Sequence, residues 1–266
     1  MTDAELHALL RTNLLAFKAL QMRTSALQGL DVPGVRALCL AGGAQPFFQQ
    51  QVLYAWPGAL GPQLDAVEAW YLARQVHAWR VGVTPGDTDA ETALTRTGYQ
   101  REDGMPAMGR TLEYHPPPSL PLGLTLERPD DLDAVMALNG QCYEPSSMDF
   151  LDAWRRAPLP DARIHAVLAR EGGRALACSL SFEHEGCAGI YMVATHPDAR
   201  RRGLGALVME ALHADAFARG CTTAVLQASA HGVSLYQRLG YRSLGTWVNW
   251  VRRVPGIRAP PMAAPG

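Results

Sequence analysis

Three arginines, Arg200, Arg201 and Arg202, run directly into Gly203-Leu204-Gly205-Ala206. Before them lies an apolar stretch ending in Val193-Ala194-Thr195-His196-Pro197. After them Leu204, Leu207, Val208, Ala211, Leu212 and Phe217 recur at helical spacing, with Glu210, His213 and Asp215 largely off that face. A strand, a glycine loop and an amphipathic helix in this order form a device for holding anions. The first amides of a helix have no acceptor within it, and the helix dipole favours negative charge there. Gly203 and Gly205 keep side chains out of the approach, and the arginines add charge to the same place. The chemistry implied is recognition of a pyrophosphate-bearing ligand.

The dinucleotide fingerprint does not fit. There is no third glycine, and the preceding region reads as an antiparallel meander instead of a βαβ unit. The Gly-Lys-Ser/Thr ending of a P-loop is absent as well. As a nucleic-acid patch the arginine run is short and isolated, and the formal net charge of −1 supplies no wider field. No nucleic-acid partner is assigned.

Proton-transfer groups stand elsewhere. Tyr236, in Leu235-Tyr236-Gln237-Arg238-Leu239-Gly240-Tyr241, is a phenol able to protonate a departing anion. Glu183 closes a strand beside His184 and Glu185 and is a candidate proton acceptor, as are Glu144 and Asp149. Acids at strand ends and turns are mostly solvated, so a water chain competes with all of them. His196 has no partner at metal-ligand spacing. The five cysteines are odd in number and contain no Cys-x-x-Cys, so neither zinc nor a disulfide framework is expected, and no metal site is assigned. Trp247 and Trp250 read as packing residues, or as the border of an acceptor pocket.

The elements that position these groups follow from periodicity and turn residues. A strand is predicted over Thr125–Arg128, then a helix with Leu132, Val135, Met136 and Leu138 on one face. Strands follow at Ile164–Ala169, Arg174–Glu183 and Cys187–Thr195, divided by turns at Glu171-Gly172-Gly173 and His184-Glu185-Gly186. A helix from Gly203 to Arg219 stops at Gly220. A strand around Val225, a short helix over Ser234–Leu239 and a last strand over Tyr241–Val251 complete the order.

The strongest break is His115-Pro116-Pro117-Pro118-Ser119-Leu120-Pro121, which cannot be helix or central strand. It suggests one domain over 1–115, a linker over 116–121, a second domain over 122–254 and a loose tail over 255–266. With 48% hydrophobic and 18% charged residues, the composition is that of a globular protein. The absence of a basic leader and of a long apolar run predicts a cytoplasmic protein without a membrane partner.

Arg-x-x-Gly-x-Gly after a strand ending in Val-x-x-His-Pro, followed by Leu235-Tyr236-x-x-x-Gly240-Tyr241, resembles the GNAT superfamily of N-acetyltransferases over about Thr125 to Val251. The resemblance implies a mixed α/β (α+β) fold: a mostly antiparallel sheet flanked by helices. It implies acetyl-CoA as cosubstrate and a small-molecule or peptide amine as acceptor. Val193 and Thr195, with Ala194 between them, would bond the pantetheine arm. The amides from Arg201 to Ala206 would hold the pyrophosphate, with Arg200 and Arg202 adding charge. Tyr236 would protonate the leaving thiolate. Ser229 stands where the family often has asparagine, and its shorter side chain weakens the case for one polar contact to the cofactor but not for the fold. Two rivals share these motifs: a non-catalytic acyl-CoA-binding or regulatory module, and a tandem acetyltransferase resembling mycothiol synthase.

The first half carries an echo of the second. Arg96-Thr97-Gly98-Tyr99 matches Arg238-Leu239-Gly240-Tyr241 in its Arg-x-Gly-Tyr pattern. The same register sets Gly61 on Gly203, Pro62 on Leu204, Gln63 on Gly205 and Leu94 on Tyr236. Proline there removes an amide donor and Gln63 adds a side chain where glycine is needed. Two tandem GNAT-like domains are therefore expected, the first degenerate, in preference to an unrelated α/β domain in the first half.

Overall fold

A computed structural model of the chain describes residues 1–40, 49–116, 118–143 and 151–254. The chain forms two compact units, one of residues 1–25 and 106–245, the other of residues 26–105 and 246–266. These units cut the chain elsewhere than the proline run, because each takes a strand from the far side of it. The Glu144 and Asp149 candidates and the 255–266 tail lie outside the described residues.

The larger unit begins with α1 (Asp3–Thr24), whose Thr2 and Glu5 form a reciprocal capping box. Its strands run in the order β5 (Gln100–Thr111, from Pro106 on), β10 (Thr223–Gln227), β9 (Cys187–Thr195), β8 (Arg174–His184), β7 (Ile164–Glu171) and β6 (Leu124–Glu127). All neighbours are antiparallel except β9 and β10. Strand alternation on β8 sorts the helices onto two faces. Ser179 turns to α5 (Leu204–Ala218), donating to the Val208 carbonyl at 3.1 Å. Cys178 turns the other way, to α4 (Asp133–Cys142), and Phe182 to α1, where it packs against Phe17. α5 is rich in Ala and Leu and buries Leu204, Val208, Ala211 and Leu212. It ends where Gly220, at φ 98°, lets the Gly220 and Cys221 amides turn back to Phe217 and Ala216. α6 (Val233–Arg238) follows β10.

The smaller unit orders β1 (Gln28–Val32), β2 (Val35–Cys39), β3 (Gln51–Tyr54), β4 (Ala78–Val83) and the end of β11 (Arg242–Arg253). Here β3 and β4 are the parallel pair, joined through a 3-10 turn over Gly61–Gln63 and α2 (Leu64–Leu72). α3 (Thr88–Arg96) follows β4. Trp79, Tyr71, Leu94 and Trp250 lie in its core, so Trp250 is a packing residue here.

The predicted repeat is visible in the turns after α3 and α6. Gly98 and Gly240 have φ 79° and 80°. The Tyr99 amide donates to Leu94 and the Tyr241 amide to Tyr236, both at 3.0 Å. In each unit the position beside the second parallel strand is filled antiparallel: β10 by β5, and β4 by β11. No described helix is long and apolar enough to cross a membrane.

Candidate active site

β9 and β10 pair only from Cys187/Thr223 to Gly189/Val225. Beyond Gly189 the register of β9 continues with β8 alone, while Leu226 and Gln227 continue with β5. The two parallel strands therefore part toward their C-terminal ends and leave a V. Within it β9 carries a bulge: Tyr191 opposes Leu180 and Ala194 opposes Cys178, so Met192 and Val193 together face Ser179. Met192 takes φ 51°, a left-handed conformation that costs a non-glycine residue about 1 kcal/mol or more.

The bulge decides which backbone groups the V receives. His196 donates its amide to Leu176 on β8 at 2.8 Å. By alternation Ala194 also faces β8, while Val193 and Thr195 face away from it. Val193 and Thr195 thus turn their backbone away from β8. Ala194 does not: it is buried and paired with Cys178, which corrects its assignment as a backbone partner of the ligand.

The loop after β9 delivers α5 to the same end of the sheet. Arg201 has φ 65° and Gly203 φ 78°, and the helix begins at Leu204. The amides of Leu204, Gly205 and Ala206 lie in the first turn, where a helix supplies no acceptor. A Cβ on Gly205 would stand 3.3 Å from Thr195 Oγ1 and from Leu235 Cδ2, so any side chain there would press both neighbours back by a few tenths of an ångström. A Cβ on Gly203 would enter open space. Of the arginines, Arg202 makes a two-pronged pair with Glu171, at 2.6 and 3.0 Å, which holds that carboxyl below its ordinary range. Arg200 Nε reaches the Thr195 carbonyl at 3.4 Å, and the Arg201 side chain is exposed. His196 caps the turn before them, accepting from the Asp198 amide at 3.2 Å. A hollow of about 240 Å³ beside Arg202, Gly203 and Leu204 is walled by Pro118, Ser119 and Pro121.

Three side chains at the end of α4, none singled out from the sequence, hold β9 in this shape. Asn139 donates to the Met192 carbonyl at 3.2 Å, and Cys142 to that of Thr195 at 3.4 Å. Tyr143 donates to the Val193 carbonyl at 3.1 Å. Their spacing of i, i+3 and i+4 puts them on one face, and that polar spacing was the available signal.

Tyr236 sits on α6, which leaves the end of β10, so it shares this edge with the loop. Its ring is buried and meets Tyr241 edge-on at 5.8 Å. Burial, then the neighbouring Tyr143, pushes its phenol well above the ordinary range, so it is protonated at neutral pH. Among the described residues its hydroxyl has no hydrogen-bond partner. Ser229 is exposed between β10 and α6.

Glu183 does not join this group. It opposes Ala188, at the paired end of β9, about 16 Å from Val193 at strand rise. Arg219 grips its carboxylate at 2.6 and 3.0 Å, and His165 Nε2 lies 3.6 Å away. This is a structural ion pair at the end of α5, and the choice of Glu183 as base is corrected accordingly.

Residues 132–241 match the family model described as the acetyltransferase (GNAT) family. A GCN5-related N-acetyltransferase from Kribbella flavida has the same fold, with 22% identity, a TM-score of 0.68 and coverage of 94% of this chain and 95% of the other. One from Sphaerobacter thermophilus gives 20% identity and a TM-score of 0.62, covering 86% and 84%. A tandem GNAT protein from the clavulanic acid biosynthesis pathway gives 17% and 0.61, covering 98% and 97%. No curated protein matches the chain.

Proposed function

We propose, from the match of residues 132–241 to the model of the GNAT acetyltransferase family, that the V of the larger unit transfers acetyl from acetyl-CoA to a primary amine. The observation that carries this reading is the coincidence, at the C-terminal end of β9, of the bulge, the parting from β10 and the glycine-led start of α5. The residues fit the ligand: outward backbone at Val193 and Thr195, first-turn amides at Leu204 to Ala206, and the close seat at Gly205. When bound there, acetyl-CoA supplies an activated acetyl thioester.

The chain's own groups then have distinct tasks. The amides of Leu204, Gly205 and Ala206 hold the pyrophosphate. The Val193 N–H, unused by β8, donates to the thioester carbonyl and stabilises the negative charge that develops on it. Tyr236, protonated at neutral pH, gives its proton to the departing thiolate. The amine must be neutral to attack. With Glu183 committed to Arg219, water is assigned to accept its proton.

The test is a panel of primary amines incubated with acetyl-CoA and the full chain, reading free thiol. Release above the amine-free rate for at least one acceptor is expected. Acetyl-CoA binding without thiol release from any amine favours a binding module instead.

A further inference from the structure

Met192 holds a left-handed backbone angle without the freedom of glycine, and its side chain offers no reason for it. What the structure holds is its carbonyl. Asn139 Nδ2 donates to it at 3.2 Å and the Cys178 thiol at 3.4 Å. Asn139 is itself buried, 3% exposed, and donates also to the Val135 carbonyl of its own helix at 2.9 Å. It is therefore a fixed arm, tied at its base and reaching from α4 to the bulge.

The Met192 carbonyl and the Val193 N–H belong to one peptide group. That group is planar and trans, so the two point in opposite directions. Holding the carbonyl on the α4 side turns the Val193 N–H away from α4. Val193 also faces away from β8, because Ala194 and Tyr191 take the pairing there. We propose that Asn139 is the positioning residue of this site: through Met192 it aims the Val193 amide at the thioester carbonyl. This rests on the acetyltransferase reading above and adds to it the residue that sets the donor's direction. Asn139 touches no reacting atom. Its effect appears only in how far the carbonyl is polarised.

The experiment is infrared difference spectroscopy of acetyl-CoA carrying a ¹³C-labelled carbonyl, bound to the full chain. In the unaltered protein the thioester stretch should move to lower frequency than in solution. Asn139→Leu keeps the volume and removes the donor. The stretch should return toward its solution value and kcat should fall about 10²-fold, the scale for a misplaced catalytic group. Affinity for free CoA, which has no acetyl carbonyl, should stay within about threefold, as expected for a contact made only to the carbonyl. Val135→Ala thins the packing of the same helix and keeps the donor. It should lower the melting temperature and leave the band shifted. Adding Met192→Gly to Asn139→Leu makes the left-handed angle easy again and should restore part of the shift. It also serves if the single variant folds poorly.

A full band shift in folded Asn139→Leu overturns the proposal and leaves the acetyltransferase reading standing. So does equal loss of the shift in Val135→Ala, or no recovery in the double variant. Failure of the unaltered protein to bind acetyl-CoA overturns both.

Discussion

Among the described residues two parallel strand pairs, β9 with β10 and β3 with β4, are built on one plan, and they differ in what lies between the strands. In the larger unit β9 and β10 part beyond Gly189, and the backbone of Val193 and Thr195 turns away from β8. In the smaller unit β3 and β4 pair at Gln51/Arg80 and Val52/Val81, and a side chain closes the space beyond. The Tyr54 phenol donates to Asp87 Oδ2 at 2.9 Å and accepts from the Thr84 amide at 3.3 Å. In the register that aligns the two Gly-Tyr turns, Asp87 falls on Ser229. One V is bridged by a buried tyrosine and a carboxylate; the other meets a short exposed hydroxyl. The loops differ in the same sense. Gly61-Pro62-Gln63 forms a 3-10 turn with a proline in place of a donor, whereas Gly203-Leu204-Gly205 keeps its amides. We read the smaller unit as a relative of the larger whose ligand space has been converted into core.

This contrast makes predictions of decreasing size. Tyr236→Phe keeps the ring against Tyr241 and removes the proton donor. In the smaller unit the equivalent position is Leu94, which has no such group. Turnover should fall about 10²–10⁴-fold, the range for loss of a general acid, with acetyl-CoA affinity nearly unchanged. Steady-state kinetics with an acceptor from the amine panel, beside calorimetric binding, measure both. Full activity would remove Tyr236 as the acid, and a large loss of affinity would make it a packing residue.

Tyr54→Phe attacks the closed V instead. It leaves the Asp87 carboxylate, which is 7% exposed, without the phenol it accepts from, at a cost of about 1–3 kcal/mol. Urea unfolding should register that loss, while acetyl-CoA affinity stays where it was. Tighter or additional binding would mean that the smaller unit is a blocked site ready to reopen.

The smallest effect separates the two motif tyrosines. Tyr99 accepts from Trp79 Nε1 at 2.7 Å, a partner that does not titrate, whereas Tyr241 lies 2.7 Å from His213 Nε2. Burial first, then Arg110 and His115, pushes the His213 imidazole down to about 3. The unfolded chain takes up that proton near pH 6.5 and the folded chain does not. Stability is therefore full above pH 6.5 and declines as the pH falls from there toward 3. Between pH 7.5 and 5.5 this contributes about 1 kcal/mol. His213→Gln should flatten that part of the urea-midpoint profile, and an unchanged slope would remove His213 as its source.

The parts of the site visible in the sequence are those whose chemistry is local. Phosphate recognition needs consecutive amides, glycines and a helix start, so residues 200–206 announce themselves, and Tyr236 is marked by its spacing to Gly240-Tyr241. The strand and helix order after Thr125 was legible for the same reason, to within a few residues. What escaped depends on distant partners. Asn139 meets Met192 across 53 positions, and a methionine at φ 51° carries no mark in the sequence. Glu183 was misread because Arg219, which claims it, lies 36 positions on. The proline run resembled a domain boundary, but β5 precedes it and pairs with β10 beyond it. A fragment starting at residue 122 would lack both α1 and that strand, so binding tests need the full chain.

One V is read as open and the other as closed. Calorimetric titration of the full chain with acetyl-CoA tests this directly, beside the Gly203→Glu variant, whose side chain enters the open space at the start of α5 and brings like charge to the phosphate. A single site per chain is expected in the unaltered protein, and no measurable binding in the variant. A second site, or binding that survives Gly203→Glu intact, would contradict it.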